Sequence, residues 1–202
     1  DMSGNLIWEF VNKNRNWTST SRHIEDSNGN FVGVGSYGDP SAGYITVVSK
    51  NGEFLWDQVL KLSGEDYYYH TGYYDVVEMD GNYVVVGDAR KNQSSPSYRT
   101  VYNGIMVTYS KDGTKLNEKI FDQSVFSYIY KFIKLNDGYI LVGYYQLENG
   151  GRIPVIRKYN DKDEVVWERK FEEYNQSYYI DDNGVLTVPK YTVEALTEFY
   201  EG

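Results

Sequence analysis

Short apolar runs punctuated by polar turns recur along this chain at a fixed interval. A β-branched and apolar run closes on Val-Gly at Phe31-Val32-Gly33-Val34-Gly35, at Tyr83-Val84-Val85-Val86-Gly87 and at Tyr139-Ile140-Leu141-Val142-Gly143. A weaker copy begins at Ile180 and runs through Gly184 to Val188. The closing glycines Gly35, Gly87 and Gly143 lie 52 and 56 residues apart. That interval is too long for a hairpin and too short for a domain, so it marks a repeated supersecondary unit.

A second pattern follows each Val-Gly run: a strand, a tight turn, and a strand that usually carries Trp. Its copies are Tyr44–Ser49, Lys50-Asn51-Gly52, Glu53–Trp56; then Gly104–Tyr109, Lys111-Asp112-Gly113, Thr114–Asn117; then Pro154–Tyr159, Asp161-Lys162-Asp163, Glu164–Trp167. The opening Ser3–Trp8 is the tail of the same piece. Upstream of the Val-Gly runs lie further strands, Thr18–Ile24, Tyr73–Met79 and Ile129–Leu135, each leading into a turn at Asn28-Gly29, Asp80-Gly81 or Asn136-Asp137-Gly138. Asn-Gly and Asp-Gly pairs are strong hairpin signals because such turns need residues that tolerate positive φ. Each unit is therefore predicted to be four short antiparallel strands over about fifty residues, the pattern of a β-propeller blade. The fold class is all-β in one domain, 1–202. Full units span about 12–59, 60–121 and 122–171, with half units at 1–11 and 172–202.

The Gly-x-x-x-Trp spacing of the last hairpin resembles the bacterial PQQ-like (quinoprotein-type) propeller repeats. The resemblance implies that Trp8, Trp56 and Trp167 pack between neighbouring blades, and that Gly35, Gly87 and Gly143 are structural repeat positions. Asn117 departs from the pattern, so one contact between units is expected to be weaker or differently made. No set of cofactor-binding residues matches that group, so the resemblance carries a fold and no cofactor. Two complementary halves suggest a four-bladed ring in which a strand at Asn5–Val11 completes a last blade begun at Ser177–Asp181 and Val185–Pro189. The rival is a slice of a larger propeller. The tail Tyr191–Gly202 reads as a helix capped by Thr192, with Val193, Leu196 and Tyr200 on one face, or as the missing strand.

Charge and composition narrow the function. Twenty basic against 29 acidic residues leave a net charge of -9, which disfavours a general phosphate-binding surface and hence nucleic acid. With no cysteine, disulfides and thiolate zinc sites are excluded. No run of roughly 18 apolar residues offers a membrane span. The 22 tyrosines suit strands with one wet face, where the ring packs and the hydroxyl reaches water.

The richest local candidate is Ser63–Asp75, which gathers Asp66, Tyr67, Tyr68, Tyr69, His70, Tyr73, Tyr74 and Asp75. Tyrosine rings stack on sugar C–H faces while carboxylates accept hydroxyl hydrogen bonds, and tyrosine is also favoured at protein interfaces. A Tyr-rich strand with an acidic turn is the plainer reading. His23 and His70 lie in different units without a Gly-x-Ser-x-Gly elbow, so nucleophilic catalysis has no support. A glycosidase carboxylate pair is defined by distance and is invisible in sequence. Asp26–Asn30 alternates oxygen ligands but lacks the later Glu of a calcium loop, so it reads as a turn. Asp88–Asn103, with Arg90, Lys91 and Arg99, is a basic island on an acidic protein and reads as a loop insertion.

The expected function is a non-catalytic interaction scaffold, exported or surface-displayed in a bacterium, without cofactor or metal, whose partner is a protein or a glycan. The alternative is a carbohydrate-binding or carbohydrate-active propeller.

Overall fold

Short apolar runs joined by Asx-Gly turns pair with their neighbours in sequence, and the sheets follow that logic. The structure is a computed structural model that describes residues 5–12, 18–62, 70–92, 100–147, 151–171, 179–180 and 186–187. The first sheet contains β1 (Thr18–Glu25), β2 (Phe31–Tyr37), β3 (Ala42–Val48) and β4 (Phe54–Val59). The second contains β5 (His70–Met79), β6 (Asn82–Asn92), β7 (Thr100–Tyr109) and β8 (Lys115–Ile120). The third contains β9 (Tyr128–Leu135), β10 (Gly138–Gln146), β11 (Arg152–Asn160) and β12 (Val165–Lys170). In each sheet the strand order is the chain order, and all pairs are antiparallel. A two-stranded pair, β13 (Tyr179–Ile180) with β14 (Leu186–Thr187), follows. Among the described residues there is no helix, and so none long and apolar enough to cross a membrane.

The Val-Gly runs are apolar without interruption because they form strands buried on both faces. Val85 and Tyr83 pack against Val32, Val34, Ile45 and Val47 of the first sheet. Their neighbours Val84 and Val86 point the other way, onto Ile129, Phe132 and Leu141 of the third sheet and Phe126 just before it. Ile140, Val142 and Ile156 form a further buried cluster on the far face of the third sheet. Full burial of each such side chain contributes roughly 1.5–3 kcal/mol before entropy is counted.

The closing glycines answer to a bulge on the adjacent strand. Pairing of β1 with β2, β5 with β6 and β9 with β10 skips one residue, Ser21, Tyr74 and Tyr130 respectively. The bulge drives a backbone carbonyl over the facing strand. A Cβ at Gly35, Gly87 or Gly143 would stand 2.0, 1.8 or 1.9 Å from the carbonyl oxygen of Ser19, Gly72 or Tyr128. Only glycine fits there. The sequence phrase thus encodes an extruded residue on the neighbouring strand.

Trp56 of β4 lies across the junction to the second sheet. Its Nε1 donates to the Lys111 carbonyl at 2.8 Å, and a Cβ at Gly113 would stand 2.9 Å from its ring. Trp8 repeats this arrangement on the first sheet, donating to the Lys50 carbonyl at 3.1 Å, with Gly52 beneath the ring and Phe31 5.3 Å away edge-on. At the next junction both partners change together. Asn117 replaces the tryptophan, and Asp163, at φ 65°, replaces the turn glycine. Asp163 instead pairs with Lys119 and accepts from the Tyr139 hydroxyl. The expected anomaly at Asn117 is therefore a contact made differently, by charge in place of a ring on a glycine.

Asn117→Trp and Asp163→Gly are expected to be favourable only together. Denaturant unfolding of the two single variants and the double variant should yield a coupling of about 1–2 kcal/mol, within the roughly 0.5–3 kcal/mol of contacting sites. Additive effects would show that the two positions do not form one contact.

Two expectations are corrected. Residues 5–12 form no strand, and the described residues of the insertion Asp88–Asn103 are sheet, since β6 and β7 continue their ladder to Asn92 and Thr100. Most of the residues on which a blade shared between the ends would rest lie outside the described ones. The tail Tyr191–Gly202 lies outside the described residues.

Candidate functional site

Each sheet has two unlike ends. One carries the tight turns. At the other lie Tyr37 opposite Ala42, His70 opposite Arg90, Asn92 opposite Thr100 and Gln146 opposite Arg152. The extruded bulge residues stand toward this second end, and between the second and third sheets they build an aromatic cluster.

Tyr74 and Tyr130, the two extruded tyrosines, stack across the sheet junction with centroids 4.8 Å apart. Tyr130 and Tyr144 share a hydroxyl hydrogen bond of 2.9 Å. Tyr128 lies 4.6 Å from Tyr144 and stacks on Tyr102 at 4.9 Å. Two cations cover this cluster. The Arg152 guanidinium lies 4.7 Å above the Tyr144 ring, and that of Arg90 lies 5.3 Å above Tyr102. Such cation–π contacts each contribute of order 0.5–1 kcal/mol when exposed and more when desolvated. Arg90 Nε also donates to the buried Asp88 carboxylate at 2.7 Å, and the Tyr74 hydroxyl donates to the same group.

Burial keeps the phenols of Tyr74, Tyr128 and Tyr144 protonated. Burial, reinforced by Asp88, pushes Tyr74 and Tyr128 well up. Burial and then Tyr130 do the same for Tyr144. Burial works against the charge on Arg90, but the Asp88 pair outweighs it and raises the guanidinium above its ordinary value. Burial, followed by the Arg90 charge, pushes His70 down, so its imidazole is neutral at pH 7. The cluster thus sets half-buried rings beside Arg152 and the Asp88-paired Arg90 on a chain of net charge -9.

The structure distributes the predicted site residues among different tasks. Tyr74 belongs to the cluster. His70 lies at its border, where Ser41 Oγ approaches its ring nitrogens at 2.7 and 2.9 Å. Beside it, the Thr71 amide donates to the Ser41 carbonyl at 2.8 Å, which clamps the first two sheets together. Tyr73 is fully buried, its hydroxyl 2.9 Å from that of Tyr109, and its ring lies against Gly43. Asp75 is buried at the seam, accepting from the Phe132 amide at 3.0 Å between Arg22 and Lys131, 3.5 and 3.7 Å away. Burial pushes its carboxyl up against the pull of that amide and those cations. Asp66, Tyr67, Tyr68 and Tyr69 lie outside the described residues. Trp8 and Trp56 dock as described, whereas Trp167 is exposed. Among the described residues no three His, Asp or Glu side chains converge to hold a metal ion.

Sequence reading missed Tyr102, Tyr128, Tyr130, Tyr144 and Arg152. A signal was available for three of them. Aligned on the closing glycine and the bulge, Ser19, Ser21 and Ser36 of the first unit correspond to Gly72, Tyr74 and Asp88 of the second and Tyr128, Tyr130 and Tyr144 of the third. Constant geometry with changing side chains is what a scaffold carrying a site would show.

Compared with known proteins, the chain matches no family model and no curated relative.

Proposed function

We propose that this protein is a non-catalytic binding scaffold whose sheets are blades of a propeller-like array and whose ligand contacts the tyrosine–arginine cluster between the second and third blades. Two features support the blade reading: sequential four-stranded meanders, and packing of each first strand on the preceding sheet, β5 on β1, β2 and β3 and β9 on β5, β6 and β7. The observation that carries the site is the stacking of the two bulge-extruded tyrosines beside Arg90 and Arg152. Export or surface display in a bacterium accords with the resemblance of the repeats.

A carbohydrate is the second reading, favoured by the half-buried rings of Tyr74, Tyr102 and Tyr130, which could stack on the C–H face of a sugar beside Arg90 and Arg152. Screening immobilised glycans and pulling down protein partners, with wild type and with the double variant Tyr102→Ser/Arg152→Ser, separates the readings. Saturable glycan binding weakened at least about tenfold by the variant (about 1.4 kcal/mol) supports a sugar. Capture of a protein that glycans do not displace and the variant abolishes supports a protein partner. Binding that the variant leaves intact would place the site elsewhere.

A further inference from the structure

The residue just after each bulge faces the valine just before each closing glycine: Arg22 opposite Val34, Asp75 opposite Val86 and Lys131 opposite Val142. These are one repeated position, carried by β1, β5 and β9, each the first strand and one edge of its sheet. Because β5 packs on β1 and β9 on β5, the three side chains converge. Arg22 Nε lies 3.5 Å from one Asp75 oxygen, and Lys131 Nζ lies 3.7 Å from the other. The repeat thus gathers two cations and one carboxylate where three sheets meet.

The charges at this point do not balance. Asp75 is buried, and the oxygen nearer Lys131 already accepts from the Phe132 amide at 3.0 Å. Both cations stand beyond the roughly 2.7–2.9 Å of a charge-assisted hydrogen bond. A closed pairing between the first two sheets looks different: Lys111 meets Asp26 at 2.8 Å and Glu78 at 2.7 Å, one cation for two carboxylates. Here the ratio is reversed. Among the described residues neither Arg22 nor Lys131 has another carboxylate within 4.0 Å. One positive charge is therefore left over, on a chain of net charge -9. The Arg22 side chain is 50% exposed and that of Lys131 only 21%, so an open guanidinium stands beside a sheltered ammonium.

We propose that Arg22 and Lys131 hold an oxyanion group where β1, β5 and β9 meet, with Asp75 fixing the two cations in place and moderating their affinity. The planar guanidinium offers two parallel donors to a carboxylate, sulfate or phosphate, and the ammonium adds another. Asp75 takes the buried side of Arg22, and the anion takes the side that Arg22 exposes. This site uses neither Arg90 nor Arg152, but the chain connects it to the tyrosine–arginine cluster, since Tyr74 and Tyr130 immediately precede Asp75 and Lys131. The oxyanion comes either as a free inorganic ion or as the acidic group of a larger ligand on those two rings.

Titration of the full chain with sodium sulfate, at constant ionic strength set with chloride, tests this through the amide NMR shift of Phe132. A saturable shift is expected. Arg22→Gln and Lys131→Gln are each expected to weaken binding about tenfold, the scale of one lost hydrogen bond to a charged group. Asp75→Asn is expected to tighten it, because a competing charge goes while the amide oxygen still accepts from Phe132; a merely structural ion pair would give no such gain. Tyr102→Ser/Arg152→Ser should leave sulfate binding unchanged, so this site and the tyrosine–arginine cluster succeed or fail separately. Glucuronate that binds more tightly than sulfate and also shifts Tyr74, where glucose does neither, identifies the acidic group of a larger ligand. Sulfate that binds as tightly as glucuronate identifies a free ion. Shifts that follow ionic strength without saturating overturn the proposal. Saturable binding that survives both Arg22→Gln and Lys131→Gln, with circular dichroism unchanged, does so too.

Discussion

Gly87→Ala is expected to destabilise the protein by about 3 kcal/mol or more, the upper end of overpacking costs. The added Cβ would stand 1.8 Å from the Gly72 carbonyl oxygen, and backbone cannot give way as a side-chain tip can. To relieve the contact, the β5 bulge must flatten. Flattening shifts one flank of β5 by one residue, which turns Tyr73 out of the core, or Val76 if the other flank moves, and draws Tyr74 into the ladder away from Tyr130. For a chain of this size the loss corresponds to a drop in Tm of about 10 °C. Thermal unfolding followed by near-ultraviolet circular dichroism reads both effects, because the tyrosine cluster loses its fixed packing together with the sheet. A variant with wild-type Tm and aromatic signal would show that the bulge is not what requires glycine.

Asp26→Ala is the second large effect, expected at about 2–3 kcal/mol, because it leaves the buried Tyr83 hydroxyl and two turn amides without their acceptor. The Asp26 carboxylate accepts from the Asn28 and Asn30 amides at 2.9 and 2.8 Å, the Tyr83 hydroxyl at 2.6 Å and Lys111 Nζ at 2.8 Å. Lys111 also reaches Glu78 at 2.7 Å, so one carboxylate ties the first turn of the first unit to two elements of the second. Burial alone would push the Asp26 carboxyl up, but Lys111, Tyr83 and the two amides outweigh it and hold it well below the usual carboxylate range. A carboxyl depressed on folding contributes stability that is present above its unfolded value, near pH 4, and lost as pH falls toward the folded one. Wild type is therefore expected to weaken steeply below about pH 4. Asp26→Asn, weaker at pH 7, is expected to show a shallower acid limb, so the two curves converge on acidification. Urea midpoints measured from pH 7 down to pH 2.5 check the slope, and parallel curves would remove Asp26 from the acid response.

Much of the fold was legible because local chemistry and tertiary role coincide in these units. Apolar runs that read as strands are strands, and Asx-Gly pairs turn where expected. Asp88–Asn103 misled because its polar residues look like a loop, while the ladder continues through Arg90 opposite Tyr102. Of the sequence candidates among the described residues, Tyr74 alone joins the tyrosine–arginine cluster. Tyr73 and Tyr74 are identical as letters, yet one fills the core and the other is extruded, and only the bulge tells them apart. Tyr128, Tyr130, Tyr144 and Arg152 come from the next unit, more than fifty residues on. No local window joins them to Tyr74; that conjunction exists only once two sheets pack face to face.

The paired change at Asn117 and Asp163 bears on how a chain of similarly folded units assembles in the right order. Similar units in one polypeptide invite mispairing, in which a later unit settles on an earlier one that is not its neighbour. Were the third sheet to settle on the first, the Asp163 Cβ would meet the Trp56 ring where Gly113 leaves room. The lysine–aspartate contact that belongs to that turn would also find no Lys119. Each junction therefore works as a keyed coupling, and a single altered key in an otherwise repeated lock is enough to give the array an unambiguous sequence of assembly.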